Sequence, residues 1–174
     1  MYTNTPSLKN IKLSVKLVNN TPISYRESNF HIVKKVNNFT IFSFLTNNSV
    51  KVIFFNPNFI NITGLKSVKE GFLYTHLFLN LVNISSDNIR KIKIDNITAS
   101  GDYNKKISLE KLARKLSQRF YVRYDQNIFP GLHLKIKELG SMLLFPSGKY
   151  SIVGTKCMNH ARKIWLIVKN ALID

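Results

Sequence analysis

The sequence repeats itself at an offset of ninety residues, and this repeat limits the possible folds more than any other feature. In each copy two phenylalanines stand sixteen positions apart, and a Gly-x-Lys motif follows the second phenylalanine by nine residues. The matching elements are Phe39, Phe55 and Gly64 to Lys66 in the first copy, and Phe129, Phe145 and Gly154 to Lys156 in the second. A duplication of this length predicts two structural units related by pseudo-twofold symmetry.

The charge of the chain points to a polyanionic partner. Its 174 residues suit one domain or two closely packed halves, and 26 Lys and Arg against 9 Asp and Glu leave a formal charge of +17. Nucleic acid is the first candidate partner and an anionic membrane surface the second, with an inert basic surface as the remaining alternative. No apolar run approaches the roughly 20 residues of a membrane span. Of these candidates nucleic acid is retained, and no membrane partner is expected.

The cysteine content limits the possible disulfide and metal-binding chemistry. Cys157 is the only cysteine, which excludes an internal disulfide and a cysteine zinc cluster and is typical of an intracellular protein.

Alternating apolar residues predict mainly strands in the first copy. From Lys9 onward every second residue is apolar, as expected of a strand with one face on a core. A short helix at Thr21 to Ser28 and an edge strand at Asn29 to Lys35 come next. Three meander strands are predicted at Asn38 to Thr46, Val50 to Phe55 and Phe59 to Gly64, with turns at Asn47 and Asn48 and at Asn56 and Pro57, before a helix capped by Ser67 that runs to about Ile84.

The second copy predicts a similar unit after a short link at Ser85 to Asn88. Its elements are a strand at Lys91 to Ser100, a helix from Ser108, strands at Arg119 to Tyr124, Phe129 to Lys137, Met142 to Phe145 and Lys149 to Gly154, and a helix at Met158 to Leu172. Four linking residues leave little freedom, so repeats at 9–84 and 89–174 should share one sheet. The helices then lie on one face and the other face stays open, which is an α+β class.

Several segments resemble the TATA-box-binding protein (TBP) family of archaeal and eukaryotic transcription. The most specific are YDQNIFPG at Tyr124, FPGL at Phe129 and LLFPSGK at Leu143, and the more divergent first copy retains VIFFNPNFINITGLKS. The similarity extends from about Asn10 to Leu172. It implies a saddle in which two pseudo-symmetric repeats form one curved ten-stranded antiparallel sheet, with helices on the convex face and DNA in contact with the concave face through its minor groove.

The resemblance also implies roles for individual residues. The phenylalanine pairs would wedge between base steps and kink the duplex, whereas a strand phenylalanine is usually a core residue. Asn10 and Asn96 would donate to acceptors in the groove, the alternative being an ordinary exposed polar residue. The implied DNA-binding set is Asn10, Phe39, Phe55, Thr63, Asn96, Thr98, Phe129, Leu143 and Phe145, with Lys66, Lys135, Lys149 and Lys156 on phosphates or merely solvated.

The chain departs from the family pattern on the expected concave face. Lys12, Asn61 and Ser151 stand where the family has small apolar residues or Thr. A wetter and more basic face suits phosphates but weakens the dry fit that favours A·T steps, so the sequence leaves the DNA preference open.

Partner surfaces are altered as well. In the family an acidic loop before the FPG motif binds the factor TFIIB, and here Asp125 is the one acid of that loop, so a TFIIB-like factor or a replacement partner is expected. The first long helix is apolar almost all round, which predicts a protein partner over Phe78, Leu79 and Val82, with packing inside the fold as the alternative.

No catalytic or metal motif is present, so no enzyme activity, metal or cofactor is expected. The four histidines are scattered, and there is no phosphate-binding loop. The leading hypothesis is a TBP-like initiation factor that binds and bends AT-rich promoter DNA together with the RNA polymerase machinery. It would act in the nucleus or, for a chain from a cytoplasmic DNA virus, in a viral factory or the virion. The alternative is an obligate subunit in which the same fold is a protein-interaction platform with weak or nonspecific DNA binding.

Overall fold

The computed structural model describes residues 5–18, 23–47, 49–55 and 57–173, which contain ten strands and three α-helices. In chain order these are β1 (Ser7–Leu17), β2 (Phe30–Val36), β3 (Phe39–Phe44), β4 (Lys51–Phe55), β5 (Phe59–Leu65), α1 (Val68–Leu81), β6 (Ile89–Asp102), α2 (Leu109–Ser117), β7 (Tyr121–Asp125), β8 (Phe129–Ile136), β9 (Gly140–Leu144), β10 (Lys149–Thr155) and α3 (Met158–Ala171). The strands belong to a ten-stranded sheet, which confirms the predicted α+β class. No helix in this part of the chain is long and apolar enough to span a membrane.

Internal contacts divide the chain into two compact units. The N-terminal unit is Asn10–Asp95, and the C-terminal unit is Asn96–Asp174 together with the residues before Asn10. The repeat boundary predicted at the Ser85 to Asn88 link stays a prediction, and part of that link forms a short 3₁₀ helix.

The N-terminal unit is an antiparallel meander with a helix on one face. Its strand order is β2-β3-β4-β5-β1, so the predicted edge position of β2 and the three meander strands are confirmed. In place of the helix predicted at Thr21 to Ser28, the described residues form a 3₁₀ turn at Glu27–Asn29. Thr21, Pro22, Asn48 and Asn56, which were assigned to that helix and to turns, lie outside the described residues.

The core of this unit lies between the sheet and α1. The alternation predicted for β1 is confirmed, because Ile11, Leu13, Val15 and Leu17 are all buried. The main buried strand residues are Ile11, Leu13, Val15, Leu17, Phe42, Phe44, Val52, Phe54, Ile60 and Ile62. Gly71 brings α1 close to β1, since a Cβ there would lie 2.1 Å from Leu13 Cδ1.

The start of α1 is fixed by its predicted cap. Ser67 Oγ accepts a hydrogen bond from the Glu70 N–H at 3.1 Å, and the Glu70 carboxylate accepts one from the Lys66 N–H at 2.6 Å. Two N–H groups at the helix start are thereby satisfied, which confirms Ser67 as the N-cap.

The partner surface predicted at Phe78, Leu79 and Val82 is wrong, because all three side chains are fully buried in the fold. The ring of Phe78 lies 5.1 Å from that of Phe42 and 6.3 Å from that of Phe30.

The cover over the end of α1 comes from a distant segment. Ser24 crosses there, donating its N–H to the Val82 carbonyl at 3.2 Å and accepting from the Asn83 side chain at 3.1 Å. Tyr25 follows it and packs edge-on against Phe42 with ring centroids 5.0 Å apart. The second apolar side of α1 is therefore buried by its own unit, and the apolar residues it exposes are Val68, Phe72 and Leu73.

The C-terminal unit has the same plan with two helices. Its strand order is β6-β10-β9-β8-β7, and α2 and α3 pack on one face of these strands. In both helices the buried residues recur at helical spacing and belong to the core: Leu109, Leu112 and Leu116 in α2, and Ala161, Ile164, Trp165 and Val168 in α3. Opposite the helices, each unit leaves one sheet face uncovered by its own helices, and we call this the open face.

Candidate nucleic-acid interface

The first phenylalanine pair lies on the open face of the N-terminal unit. Phe39 and Phe55 are directly opposite each other on β3 and β4, with ring centroids 5.5 Å apart. Neither ring belongs to the buried core, which on these strands consists of residues on the helix side. Phe59 on β5 adds a third ring, 6.1 Å from Phe55. Sequence reasoning missed Phe59, although Phe59 alternates in phase with Asn61 and Thr63 on the predicted strand.

The second pair lies on the open face of the C-terminal unit. Phe129 and Phe145 have ring centroids 6.0 Å apart, and Phe129 is 44% exposed. Gly131 makes room for this ring, since a Cβ there would lie 2.6 Å from Phe129 Cε1 and 3.2 Å from Leu143 Cδ1. Glycine is thus required beneath the aromatic ring, which gives a steric reason for the glycine of the FPG motif.

A shallow cavity of about 340 Å³ adjoins Phe129. Its walls are Arg123, Asp125, Ile128, Phe129, Gly131, His133 and Leu143. Strand pairing places Arg123 of β7 beside His133 of β8, and His133 beside the predicted site residue Leu143 of β9. Arg123 was missed because β7 shows no obvious face in the sequence, and only its pairing reveals that it shares the open face.

Asn10 and Asn96 have equivalent hydrogen bonds in the two units. The Asn10 Oδ1 accepts from the Gly64 N–H at 2.8 Å, and the Asn96 Oδ1 accepts from the Gly154 N–H at 2.7 Å. Both glycines have positive φ, +89° and +76°, and lie where strand pairing changes register. The repeated Gly-x-Lys motif is therefore a β-bulge that needs glycine, and each asparagine is tied to it.

These bonds fix which amide atoms remain for a ligand. The Nδ2 of Asn10 donates one hydrogen to Thr63 Oγ1 at 3.2 Å, and that of Asn96 donates one to Thr98 Oγ1 at 3.3 Å. Since a carboxamide nitrogen carries two hydrogens, one further donor remains in each case. The predicted residues Thr63 and Thr98 thus orient the asparagines. They are not repeat equivalents, because Val153 occupies the position that corresponds to Thr63.

Lysine side chains are the third component of the candidate interface, beside the phenylalanine pairs and the two asparagines. The predicted phosphate-binding lysines Lys66, Lys135, Lys149 and Lys156 are all exposed. Strand phase adds Lys12 and Lys16 on β1 and Lys51 on β4 to the open face of the N-terminal unit. Such side chains supply the sequence-independent part of nucleic-acid affinity.

Asp125 lies at the end of β7, opposite Phe129. Its Oδ1 accepts from the Asn127 N–H at 3.0 Å, which shapes the exposed loop before the FPG motif. The role of this loop in partner binding stays a prediction. Among the described residues no cluster of His, Cys, Asp or Glu could hold a metal ion.

Comparison with known proteins gives matches of one kind. Residues 91–172 match the family model "Transcription factor TFIID (or TATA-binding protein, TBP)". The chain is 38% identical over 74 residues to the TATA-box-binding protein of Archaeoglobus fulgidus, covering 42% of this chain and 39% of that protein. It is 32% identical over 117 residues to the TATA-box-binding protein of Aeropyrum pernix, covering 63% and 55%. The chain thus spans about two fifths of the first relative and just over half of the second.

The fold match extends over the whole chain. The solved structure of Methanococcus jannaschii TBP superposes with a TM-score of 0.72 at 20% identity, covering 97% of this chain and 98% of that one. This likeness confirms the predicted saddle-type fold of ten strands. The family domain at residues 91–172, the curated relatives of that name and this fold together support assigning the chain to the TATA-box-binding protein family.

Proposed function

We propose that the protein is a TBP-like transcription initiation factor that binds promoter DNA in the minor groove and bends it. One observation carries the proposal: each unit holds a phenylalanine pair outside its buried core, at the same repeat spacing and on the face opposite its helices. Large apolar rings on an uncovered sheet face cost solubility, and a nucleic-acid ligand accounts for both copies.

The rings are suited to wedging between base pairs. Minor-groove proteins that bend DNA insert apolar side chains between base steps and partly unstack them, at a cost of about a few kcal/mol per step. A wedge must keep its position against that resistance. Phe129 is supported from below by Gly131 and Leu143 and from the side by Phe145, so the ring is held at the surface.

The polar groups on the open faces complement the groove. A·T pairs present only acceptors in the minor groove, adenine N3 and thymine O2. Asn10 and Asn96 keep one amide hydrogen each for such acceptors. The exposed lysines and the charge of +17 supply phosphate contacts.

Protein partners follow from the same proposal. A TFIIB-like factor or its replacement would contact the loop that contains Asp125, and the complex would recruit an RNA polymerase. The protein would act as a binding factor without catalysis of its own, in the nucleus or at the site of viral transcription.

Bending is the decisive measurement. A short AT-rich duplex with a fluorophore at each end reports the end-to-end distance by energy transfer, and binding of the protein should shorten it. Replacing Phe129 and Phe145 by Ala should abolish the shortening while far-UV circular dichroism stays unchanged. Phe72→Ala is the matched control, since Phe72 is 46% exposed on α1, on the helix side of the sheet. Equal bending by the double variant and the control would contradict the wedge assignment.

A second function has a specific observation in its favour. The open faces carry Lys12, Asn61 and Ser151, and the helix side exposes Phe72 and Leu73, as expected of a protein-interaction platform with weak DNA binding. DNA bending distinguishes the initiation factor from the interaction platform, in addition to any difference in sequence preference. A platform would leave the duplex straight at saturating protein, whatever the base composition.

A further inference from the structure

Asn61 holds an unsatisfied acceptor on the open face of the N-terminal unit. It lies on β5, with Ile53 of β4 on one side and Ser14 of β1 on the other. The residue is 9% exposed, and its Oδ1 is buried with no hydrogen-bond partner among the described residues. A buried carboxamide oxygen without a donor is a destabilising feature. Rotation about the Cβ–Cγ bond would turn this oxygen toward the open face, where a ligand that supplies a donor would satisfy it.

The neighbouring polar groups are engaged elsewhere. Ser14 Oγ donates to the Asp95 carboxylate at 3.1 Å, and the Asn10 amide donates to Thr63 at 3.2 Å. Ser14 therefore spends its one hydroxyl hydrogen on Asp95 and leaves Asn61 without it. The Asp95 carboxylate, which accepts from Ser14, also makes this part of the open face more favourable to a hydrogen-bond donor than to another acceptor.

Only one group on the floor of the minor groove is a donor. A·T pairs in either orientation present acceptors alone, whereas a G·C pair adds the 2-amino group of guanine. Asn10 differs from Asn61 in this respect, because its oxygen already accepts from the Gly64 N–H and its amide nitrogen keeps one hydrogen to donate. The N-terminal unit thus carries one asparagine fixed as a donor and another with a vacant acceptor.

We propose that Asn61 is a specificity-determining residue that accepts a hydrogen bond from the 2-amino group of guanine. The N-terminal unit then accommodates a G·C pair in its half of the DNA site. This inference rests on the minor-groove binding proposed above. In the C-terminal unit the repeat equivalent of Asn61 is Ser151, which lies between Ser100 and Leu143 and has no buried vacant acceptor in this structure. The preference is therefore confined to one half of the site.

A scan of the 2-amino group tests this directly. A bent AT-rich duplex is altered at one base pair at a time to G·C, to inosine·C, which lacks the amino group, or to 2,6-diaminopurine·T, which adds it to an A·T-like pair. Competition binding at one salt concentration gives the affinities. At one or two adjacent positions the pairs with the amino group should bind about 5- to 10-fold more tightly than their partners without it, the discrimination expected of one good hydrogen bond.

Two variants assign the effect to the residue. Asn61→Val removes the acceptor and should abolish the preference at those positions, whereas Ser151→Val, the matched change in the other unit, should leave it intact. The wild-type scan decides the question even if a variant folds poorly, since the change is made in the DNA.

The outcomes separate the two claims. A preference for the amino group at no position, or one that persists in Asn61→Val, overturns the inference but leaves binding and bending in place. Failure to bind or bend every duplex overturns this inference together with the proposed function.

Discussion

The two bulge glycines give a sharp test of the architecture because the same motif lies in different surroundings. Gly64 and Gly154 both have positive φ, and both donate an N–H to an asparagine. A Cβ on Gly64 would lie 2.2 Å from the Ser49 carbonyl oxygen and 3.0 Å from the Val50 Cα, both of them backbone atoms. A Cβ on Gly154 would meet only the Gly140 Cα, at 3.8 Å.

The expected costs follow from these contacts. Alanine at either position takes a left-handed conformation, which costs about 1–2 kcal/mol. At Gly64 the backbone must also move away from the new methyl group, which adds about 1–3 kcal/mol, as for other overpacked sites. Gly154→Ala should therefore destabilise by about 1–2 kcal/mol and Gly64→Ala by about 2–5 kcal/mol.

Urea unfolding measures both variants. Far-UV circular dichroism reports the two units together, and fluorescence of the single tryptophan, Trp165, reports the C-terminal unit. For a chain of this size each kcal/mol lowers the melting temperature by about 2–4 °C. Equal losses in the two variants, or a larger loss for Gly154→Ala, would refute the reasoning from the Ser49 contact.

Three further predictions concern single substitutions. Ser67→Ala removes the cap of α1 and should lower stability by about 1 kcal/mol in urea unfolding, whereas no loss would contradict the capping role. Gly131→Ala should displace the Phe129 ring and reduce DNA bending while stability falls by less than about 2 kcal/mol, and bending at the wild-type level would show that the ring needs no such support. Burial chiefly, and the Tyr150 phenol next, raises the pKa of Tyr103, so the folded chain keeps a proton that the unfolded chain loses above about pH 10. The contribution of Tyr103 to the free energy of unfolding is complete below that pH and declines as pH rises further, by up to about 1.4 kcal/mol per pH unit. In urea unfolding from pH 9 to 11, the free energy of unfolding of Tyr103→Phe should therefore fall less steeply with pH than that of the wild type. An equal slope in the two proteins would contradict this role of Tyr103.

Much of the fold was predictable because its signals are local. Period-two alternation identified β1, and the offset of ninety residues placed Phe39 and Phe55 in the same relation as Phe129 and Phe145. Residues that alternate on a strand share a face whatever surrounds them, but the open-face position of the pairs was implied only by the resemblance to the TBP family.

The errors arose where distant segments meet. The apolar surface of α1 suggested a partner at Phe78 and Val82, but Phe78 packs against Phe30 and Phe42, and the Ser24 N–H binds the Val82 carbonyl from more than fifty residues earlier. Helical periodicity shows that a face is apolar and does not show which segment covers it.

The finer features of the site depend on cross-strand register. Repeat spacing made Asn10 and Asn96 equivalent, but the glycine N–H bonds that hold them are visible only once β1 pairs with β5 and β6 with β10. The vacant acceptor of Asn61 depends in the same way on Ser14 binding Asp95. Hydrogen-bond commitments of this kind are properties of three-dimensional neighbours and leave no trace in spacing.

The hydrogen bond from each bulge glycine to its asparagine has a thermodynamic consequence for the proposed DNA binding. Because Asn10 and Asn96 are already immobilised in the free protein, binding does not have to freeze their rotamers, a loss of about 0.5–1.5 kcal/mol for a mobile side chain. If the chain binds DNA as proposed, each amide would meet the duplex already oriented within its own unit, so its contribution to discrimination would need no rearrangement of that unit.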